Sequence, residues 1–121
     1  MVSTIYWFKM IKKIFKYPIK VINEQSIKLP CGFKILTIQV QNDNPCIWAL
    51  VDPEQRTINV KVNTYATGES IDAEEWGLHE YELHGHKYIS KTYIGTYQLS
   101  GGVLVFHVFL DEPQILPEGW L

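Results

Sequence analysis

The sequence predicts an all-β protein, a compact antiparallel sandwich or barrel of about six or seven strands with one long excursion at 69–87. Three observations support this prediction. Residues 93–110 contain two apolar stretches joined by a Ser-Gly-Gly turn. Apolar and polar residues alternate over 34–41 and 57–66, as in strands with one buried face. The stretch 46–51 is almost wholly apolar, which is typical of a central strand.

The hairpin at 93–110 is the strongest of these signals. Gly101 and Gly102 reach the positive φ values that tight hairpin turns require. A two-residue loop centred on them makes one face of the hairpin wholly apolar, while the other face mixes polar and apolar groups. The loop predicts three cross-strand pairs: Leu99 with Leu104, Tyr97 with Phe106, and Gly95 with Val108.

The first half of the chain supplies the earlier strands. Residues 11–18 predict a short strand or an extended arm, and 19–22 and 26–29 flank a turn-like cluster at 23–25. After the break at 30–32, the alternation over 34–41 points Leu36, Ile38 and Val40 to one side.

The middle of the chain continues the pattern. Residues 42–45 form a turn, because Asn and Asp tolerate left-handed conformations. The central strand 46–51 ends at a second turn, 52–55. The strand at 57–66 then directs Ile58, Val60 and Val62 inward.

The excursion at 69–87 has a different composition. It is acidic, weakly periodic and holds His79, His84 and His86, which is three of the four histidines. A metal site is one interpretation, since imidazole pairs suit zinc, and the other is a solvated polar segment with incidental histidines. The spacing matches no known zinc motif, so the prediction is that no metal binds.

Composition limits the functional class. The 121 residues predict a single domain, 1–121, in which 1–10 is a possible N-terminal extension and 111–121 a tail. A net charge of −2 and a single arginine, Arg56, argue against binding to duplex nucleic acid. No stretch is apolar enough to span a membrane and no signal peptide is recognisable, so a cytoplasmic location is expected. Cys31 and Cys46 are expected to be reduced thiols.

Five residues are candidates for holding a small ligand: Trp48, Arg56, Tyr65, Thr67 and His107. Trp48 and Tyr65 offer aromatic planes, and Arg56 offers the guanidinium for a phosphate. Thr67 and His107 offer hydrogen bonds. His107 also has a purely structural interpretation, as a partly buried histidine bonded across the hairpin to Thr96.

Catalytic signals are weak. Ser100 lies in a hairpin turn rather than on a strand-to-helix elbow. No pair of carboxylates is set for acid and base roles. The expectation is therefore a protein that is not an enzyme and has no cofactor.

Short stretches at 16–19, 47–53, 65–68, 93–96 and 105–108 resemble a family of small uncharacterised proteins of bacteriophages and prophages. The resemblance covers roughly residues 11–109 and supplies no catalytic residues. It implies a phage-borne protein of the host cytoplasm. Small phage proteins without catalytic motifs often act by binding.

The leading hypothesis is thus a non-enzymatic binding protein that counters a host process, in its most concrete form a sponge for a nucleotide-like immune signal. Alternatives are a protein-binding inhibitor of a host factor, a virion accessory protein, or a small metal-dependent hydrolase that uses the histidine-rich excursion. A homo-oligomer is expected in each case, because both faces of the final hairpin carry large apolar groups.

Overall fold

Two antiparallel sheets pack face to face as a sandwich in the computed structural model, which describes residues 11–72, the backbone of 82–83 and 86–87, and residues 91–111. The smaller sheet has the order β1-β4-β3 and the larger sheet β2-β5-β9-β8. A separate two-stranded ladder joins β6 to β7. The strands are β1 Lys13–Pro18, β2 Glu24–Pro30, β3 Lys34–Gln41, β4 Asn44–Val51, β5 Thr57–Ala66, β6 Glu82–Leu83, β7 His86–Lys87, β8 Lys91–Leu99 and β9 Leu104–Asp111.

The prediction of an all-β sandwich or barrel is confirmed, and the architecture is the sandwich. The core lies between the sheets and is built from the apolar residues of the alternating strands. β4 and β5 are the central contributors, as their apolar patterns predict. The fully buried residues include Leu29, Ile47, Ala49, Val51, Val60, Val62, Val108 and Leu110.

The final hairpin has the predicted register. β8 and β9 pair Leu99 with Leu104, Tyr97 with Phe106 and Gly95 with Val108. The turn between them contains Gly101 and Gly102, whose φ values are 66° and 93°. The amide of Val103 closes the turn with a hydrogen bond of 3.3 Å to the carbonyl oxygen of Ser100. The glycines therefore supply the left-handed backbone that this reversal needs.

A β-bulge corrects the predicted faces of β3. The register shifts between Ile35 and Thr37, so Leu36 is the additional residue. Leu36 is 44% exposed, whereas Ile35 packs with Ile38 against the core. The prediction that Leu36 shares the inner face was wrong, because one inserted residue inverts the alternation on one side of the bulge.

A second bulge lies opposite the first, in β8. Its register shifts between Tyr93 and Gly95, which leaves Ile94 as the additional residue. β8 meets β3 here, at the point where the two sheets come together. A Cβ atom at Gly95 would overlap the side chain of Ile38, so this contact requires glycine.

Some of the remaining local predictions are confirmed and others are not. β2 begins at Glu24, inside the predicted turn-like cluster. Asn42 and Asp43 adopt the predicted left-handed conformations, with φ of 52° and 63°. Cys31 and Cys46 are free thiols, as predicted. Most of the excursion at 69–87, including His79 and His84, lies outside the described residues. None of the described residues forms a helix of the length and apolarity that a bilayer crossing needs.

Candidate functional site

The outer face of the larger sheet brings together the most concentrated set of interacting polar and aromatic side chains. His107 on β9 lies between Tyr65 on β5 and Thr96 on β8, each directly opposite it across a strand pair. Phe109, two residues further along β9, lies opposite Tyr93. Directly opposed residues of an antiparallel pair share a face, so these five side chains occupy one surface.

His107 joins the hydroxyl groups on both sides of it into a chain. Its Nδ1 atom lies 2.9 Å from Thr96 Oγ1, and its Nε2 atom lies 2.7 Å from Thr67 Oγ1. Thr96 Oγ1 also lies 2.6 Å from the hydroxyl of Tyr93. We call these four residues the hydroxyl–imidazole chain. The predicted bond between His107 and Thr96 is confirmed, and the ring has a second partner, Thr67, that the hairpin alone did not indicate.

The hydroxyl–imidazole chain can run in either direction. A neutral imidazole donates from one nitrogen and accepts at the other, and each hydroxyl donates one proton and accepts others. When Tyr93 donates to Thr96, Thr96 donates to His107 and His107 donates to Thr67. The hydroxyl of Thr67 is then free to donate to a group outside the chain. When Thr67 donates to His107, the direction reverses and Tyr93 donates outward. One end of the chain thus donates to a ligand while the other accepts.

Aromatic rings border the chain. The ring of Phe109 is 9% exposed, with its centroid 6.0 Å from that of Tyr65 and 5.4 Å from that of Tyr93. Tyr93 is 55% exposed. Both pairs are tilted, an arrangement that aromatic quadrupoles favour. The surface therefore offers exposed ring area beside hydrogen-bonding groups.

A charged groove of about 340 Å³ continues from Tyr65 toward the end of β9. Lys91 is its most buried charge, with 6% of its side chain exposed, and its Nζ atom lies 2.9 Å from Asp111 Oδ1 and 2.7 Å from Asn63 Oδ1. Lys61 Nζ pairs with Glu24 Oε1 at 2.9 Å on the rim. That hydrogen bond raises the pKa of Lys61, so its ammonium group stays charged at neutral pH.

Three of the five predicted ligand residues lie on this surface. Tyr65 and His107 are opposite each other, and Thr67 bonds His107 from just beyond the end of β5.

Trp48 and Arg56 lie elsewhere. Trp48 is opposite Lys16 on the smaller sheet, on the face that points away from the core. Arg56 is exposed in the turn before β5, about 30 Å from Tyr65 at roughly 3.3 Å per residue of strand. The sandwich therefore separates Trp48 and Arg56 from the other three.

Sequence reasoning missed several members of the surface: Tyr93, Thr96 as a ligand-facing group, Phe109, Lys61, Asn63 and Lys91. The signal for Tyr93 and Thr96 was available, because the predicted hairpin register places Thr96 beside His107. No such signal was available for Lys61 and Asn63, because their position on this surface depends on the pairing of β5 with β9.

The hydrogen bonds of His107 differ from those of the histidine in a catalytic triad. In a catalytic triad, a carboxylate orients the imidazole and stabilises its charged form. Here the partner of Nδ1 is the neutral hydroxyl of Thr96. Among the described residues, no three His, Cys, Asp or Glu side chains are grouped to hold a metal ion.

The fold and this surface define a β-sandwich protein with a polar and aromatic face on its larger sheet. The chain belongs to the family DUF7352, a domain of unknown function, whose family model matches residues 10–117. The resemblance to an uncharacterised family is thereby confirmed, and its phage origin stays a prediction. No curated protein and no solved structure matches the chain.

Proposed function

We propose that this protein is a non-enzymatic binding protein that sequesters a small nucleotide-like ligand on the outer face of its larger sheet. The observation that carries the proposal is the hydroxyl–imidazole chain beside the exposed ring of Tyr93 and the half-buried ring of Tyr65. Together with the phage resemblance, it favours a role in which the protein counters a host process by removing a signal molecule.

The proposal assigns each part of the surface a role. Tyr65 and Tyr93 stack against a base, since every base offers a π-face. One end of the hydroxyl–imidazole chain, Thr67 or Tyr93, bonds a donor or an acceptor on the base edge, because the chain can run in either direction. Lys61 and Lys91 on the neighbouring groove face the phosphate, in place of the distant Arg56.

The charge of the groove limits this role. Lys61 and Lys91 each have a carboxylate partner, so a phosphate has to compete with Glu24 and Asp111. We therefore expect ring stacking and hydrogen bonding to provide more of the affinity than phosphate contacts.

Calorimetry tests the proposal with linear and cyclic nucleotides, including cyclic dinucleotides. We expect one class to bind wild type and to bind His107→Ala and Thr67→Val at least ~10-fold more weakly, as for the loss of one well-placed hydrogen bond with its partner left unpaired. Arg56→Ala and Thr37→Val, which lie away from the surface, serve as matched controls and should leave binding unchanged. Weakening by Arg56→Ala alone would contradict the proposed site.

A second candidate function is binding to a host protein. A groove of about 360 Å³ lies where β3 meets β8, and the exposed Leu36 and Tyr93 are among its lining residues. Both strands are edge strands, whose free backbone groups can pair with another chain. Failure of all nucleotides to bind, together with co-purification of one host protein that Leu36→Asp abolishes, would favour this candidate.

We also propose that the protein is a homo-oligomer. Val103 and Leu104, which adjoin each other at the end of the final hairpin, are 81% and 45% exposed, and contiguous exposed apolar groups often mark interfaces. Light scattering at micromolar concentration should report a multiple of the 14.1 kDa chain mass, and a monomer mass would contradict the proposal.

A further inference from the structure

A third cavity, separate from the two grooves described above, lies where β5 ends beside the turn that leads into β2. It has a volume of about 190 Å³ and is lined by Val21, Ile22, Asn23, Thr64, Glu69 and Phe106. We call it the end pocket. Thr64 and Tyr65 are neighbours on β5, and successive strand residues point to opposite faces. The end pocket therefore lies on the core side of the larger sheet, away from the hydroxyl–imidazole chain.

The polar rim of the end pocket is held in place by hydrogen bonds. Asn23 Nδ2 donates both to the carbonyl oxygen of Thr64 at 2.8 Å and to Glu69 Oε2 at 2.9 Å. The amide of Thr64 donates to the carbonyl oxygen of Asn23 at 3.0 Å. The amide of Ala66 donates to Glu69 Oε1 at 2.9 Å. The Asn23 side chain and the Glu69 carboxylate are thus oriented before any ligand arrives.

The side-chain groups at this rim that can still form hydrogen bonds are acceptors. Asn23 uses both hydrogens of its side-chain amide, which leaves its Oδ1 atom as an acceptor. Each oxygen of Glu69 accepts one bond and keeps a further lone pair. The ion pairs found among the described residues are Lys61 with Glu24 and Lys91 with Asp111, so no described lysine or arginine neutralises Glu69. The rim is suited to a positively charged donor.

Thr64 provides an independent indication of a ligand. It is 2% exposed, the most buried residue that lines the pocket, and its hydroxyl has no hydrogen-bond partner within the described residues. A buried hydroxyl without a partner destabilises the folded state, typically by about 1–3 kcal/mol. The hydroxyl oxygen is itself inaccessible to solvent, so a donor in the pocket relieves this cost only if the Thr64 side chain changes rotamer and turns the hydroxyl toward the cavity.

The rest of the lining is apolar. Val21 and Ile22 are 43% and 45% exposed at the mouth, and Phe106 presents an aromatic ring that stacks on Tyr97 with centroids 5.4 Å apart. An aromatic ring attracts a cation that is placed over its face. The volume is several times the ~30 Å³ of one water molecule, enough for an ammonium group with a ring or a branched alkyl group.

We propose that the end pocket binds a small organic primary ammonium compound, whose ammonium group donates to Glu69 and Asn23 and whose apolar body contacts Val21, Ile22 and Phe106. Three hydrogens on the ammonium nitrogen match the carboxylate, the amide oxygen and the Thr64 hydroxyl. This site is independent of the proposed nucleotide function, so either can fail without the other.

Titration of the full chain with benzylammonium at pH 7, followed by amide NMR, tests the proposal. Benzyl alcohol and benzoate are the neutral and anionic probes of the same shape. We expect benzylammonium alone to shift the side-chain amide signals of Asn23 and the backbone signal of Thr64. Equal binding of benzyl alcohol, or no shift of these signals at millimolar benzylammonium, would overturn the proposal.

Two variants locate the interaction. Glu69→Gln removes the charge but keeps one acceptor oxygen, and it should weaken binding by about 10-fold or more, as for a charge-assisted hydrogen bond. Glu54→Gln, an exposed turn carboxylate, is the matched control and should bind normally.

Thr64→Val removes the unpartnered hydroxyl and should weaken binding about 3-fold without lowering the melting temperature. If Glu69→Gln fails to fold, the affinity of Thr64→Val for benzylammonium is the deciding measurement. Unchanged affinity in this folded variant would overturn the proposal that the end pocket is the binding site.

Discussion

The two outer faces of the sandwich each combine an aromatic ring with polar groups, but the way those groups are held differs. On the smaller sheet, Lys16 Nζ lies 5.8 Å from the Trp48 ring centroid and 2.6 Å from Gln41 Oε1. On the larger sheet, His107 bonds Thr67 and Thr96, all three being short side chains.

The difference concerns conformational entropy. Fixing a long lysine side chain costs up to about 2 kcal/mol of rotamer entropy. Threonine and histidine have few rotatable bonds, and paired strands already fix their positions. The smaller sheet thus has a loosely held polar surface and the larger sheet a preorganised one, which is why we propose the ligand site on the larger sheet.

The largest expected loss of stability is on the inner side of the larger sheet. The losses expected on the two outer faces are smaller than this one. Phe106→Ala should reduce the free energy of unfolding by about 3 kcal/mol, because the ring packs against the core and stacks on Tyr97. Urea denaturation measures this loss. Val103→Ala, at a residue that is 81% exposed, is the control and should change stability by less than ~0.5 kcal/mol. Similar losses in both variants would mean that the assigned inner face is wrong.

The next effect compares a lysine from each face. Lys91→Met should destabilise the protein by about 2 kcal/mol, since it removes a mostly buried ammonium from Asp111 and Asn63. Lys16→Met, on the exposed face of the smaller sheet, should have almost no effect. Thermal and urea unfolding of the two variants provide the comparison. If both lysines prove dispensable, the larger sheet is not the better organised one.

A smaller effect is expected for the hydroxyl–imidazole chain itself. Thr96→Val removes the shared partner of His107 and Tyr93 and should cost about 1 kcal/mol. Thr37→Val, opposite Trp48 on the smaller sheet, is the isosteric control, because the bond from the Thr37 hydroxyl to the carbonyl oxygen of Ile38 is long at 3.4 Å. The nitrogen-15 chemical shifts of His107 should change in Thr96→Val alone. Unaltered His107 shifts in Thr96→Val would contradict the hydrogen bond between His107 and Thr96.

The smallest effect is a gain. Tyr97 is buried and its hydroxyl has no partner within the described residues, so Tyr97→Phe should raise the free energy of unfolding by about 0.5–1 kcal/mol. Burial also raises the pKa of Tyr97 above its ordinary value of about 10. Because the folded pKa is the higher one, the contribution of Tyr97 is fully present below pH ~10 and is lost as the pH rises through the folded pKa.

The wild type should therefore lose more stability above pH ~10 than Tyr97→Phe does. Unfolding curves at neutral and alkaline pH test both statements. Equal alkaline losses would show that burial does not raise the pKa of Tyr97, and a Tyr97→Phe variant less stable than wild type at pH 7 would show that the hydroxyl has a partner.

The sequence predicted the parts of the fold that depend on neighbouring residues. The β8–β9 register follows from alternation on both sides of two glycines, and the inward residues of β5 follow from its regular pattern. The bulge at Leu36 was not predictable, because the inserted residue is apolar like the inner residues on either side of it. Apolar character alone cannot tell an inserted residue from one that faces the core.

The candidate site was predictable only in part for a related reason. Tyr65, Thr67 and His107 have the right chemistry, yet nothing near them in the chain indicates that β5 pairs with β9. Trp48 offers the same chemistry, and its strand joins the other sheet. Which strands pair is decided by packing between distant segments, so composition identified suitable residues without showing which of them meet.

The contact between Ile38 and Gly95 has a consequence for folding kinetics. β3 and β8 each pair with the strand that follows them in the chain, so both hairpins form through local contacts. Ile38 and Gly95 are far apart in the chain, and their contact forms only when the two sheets dock, a step that carries the loop-closure entropy. We expect Gly95→Ala to accelerate unfolding much more than it slows refolding, as for a contact that is absent from the transition state.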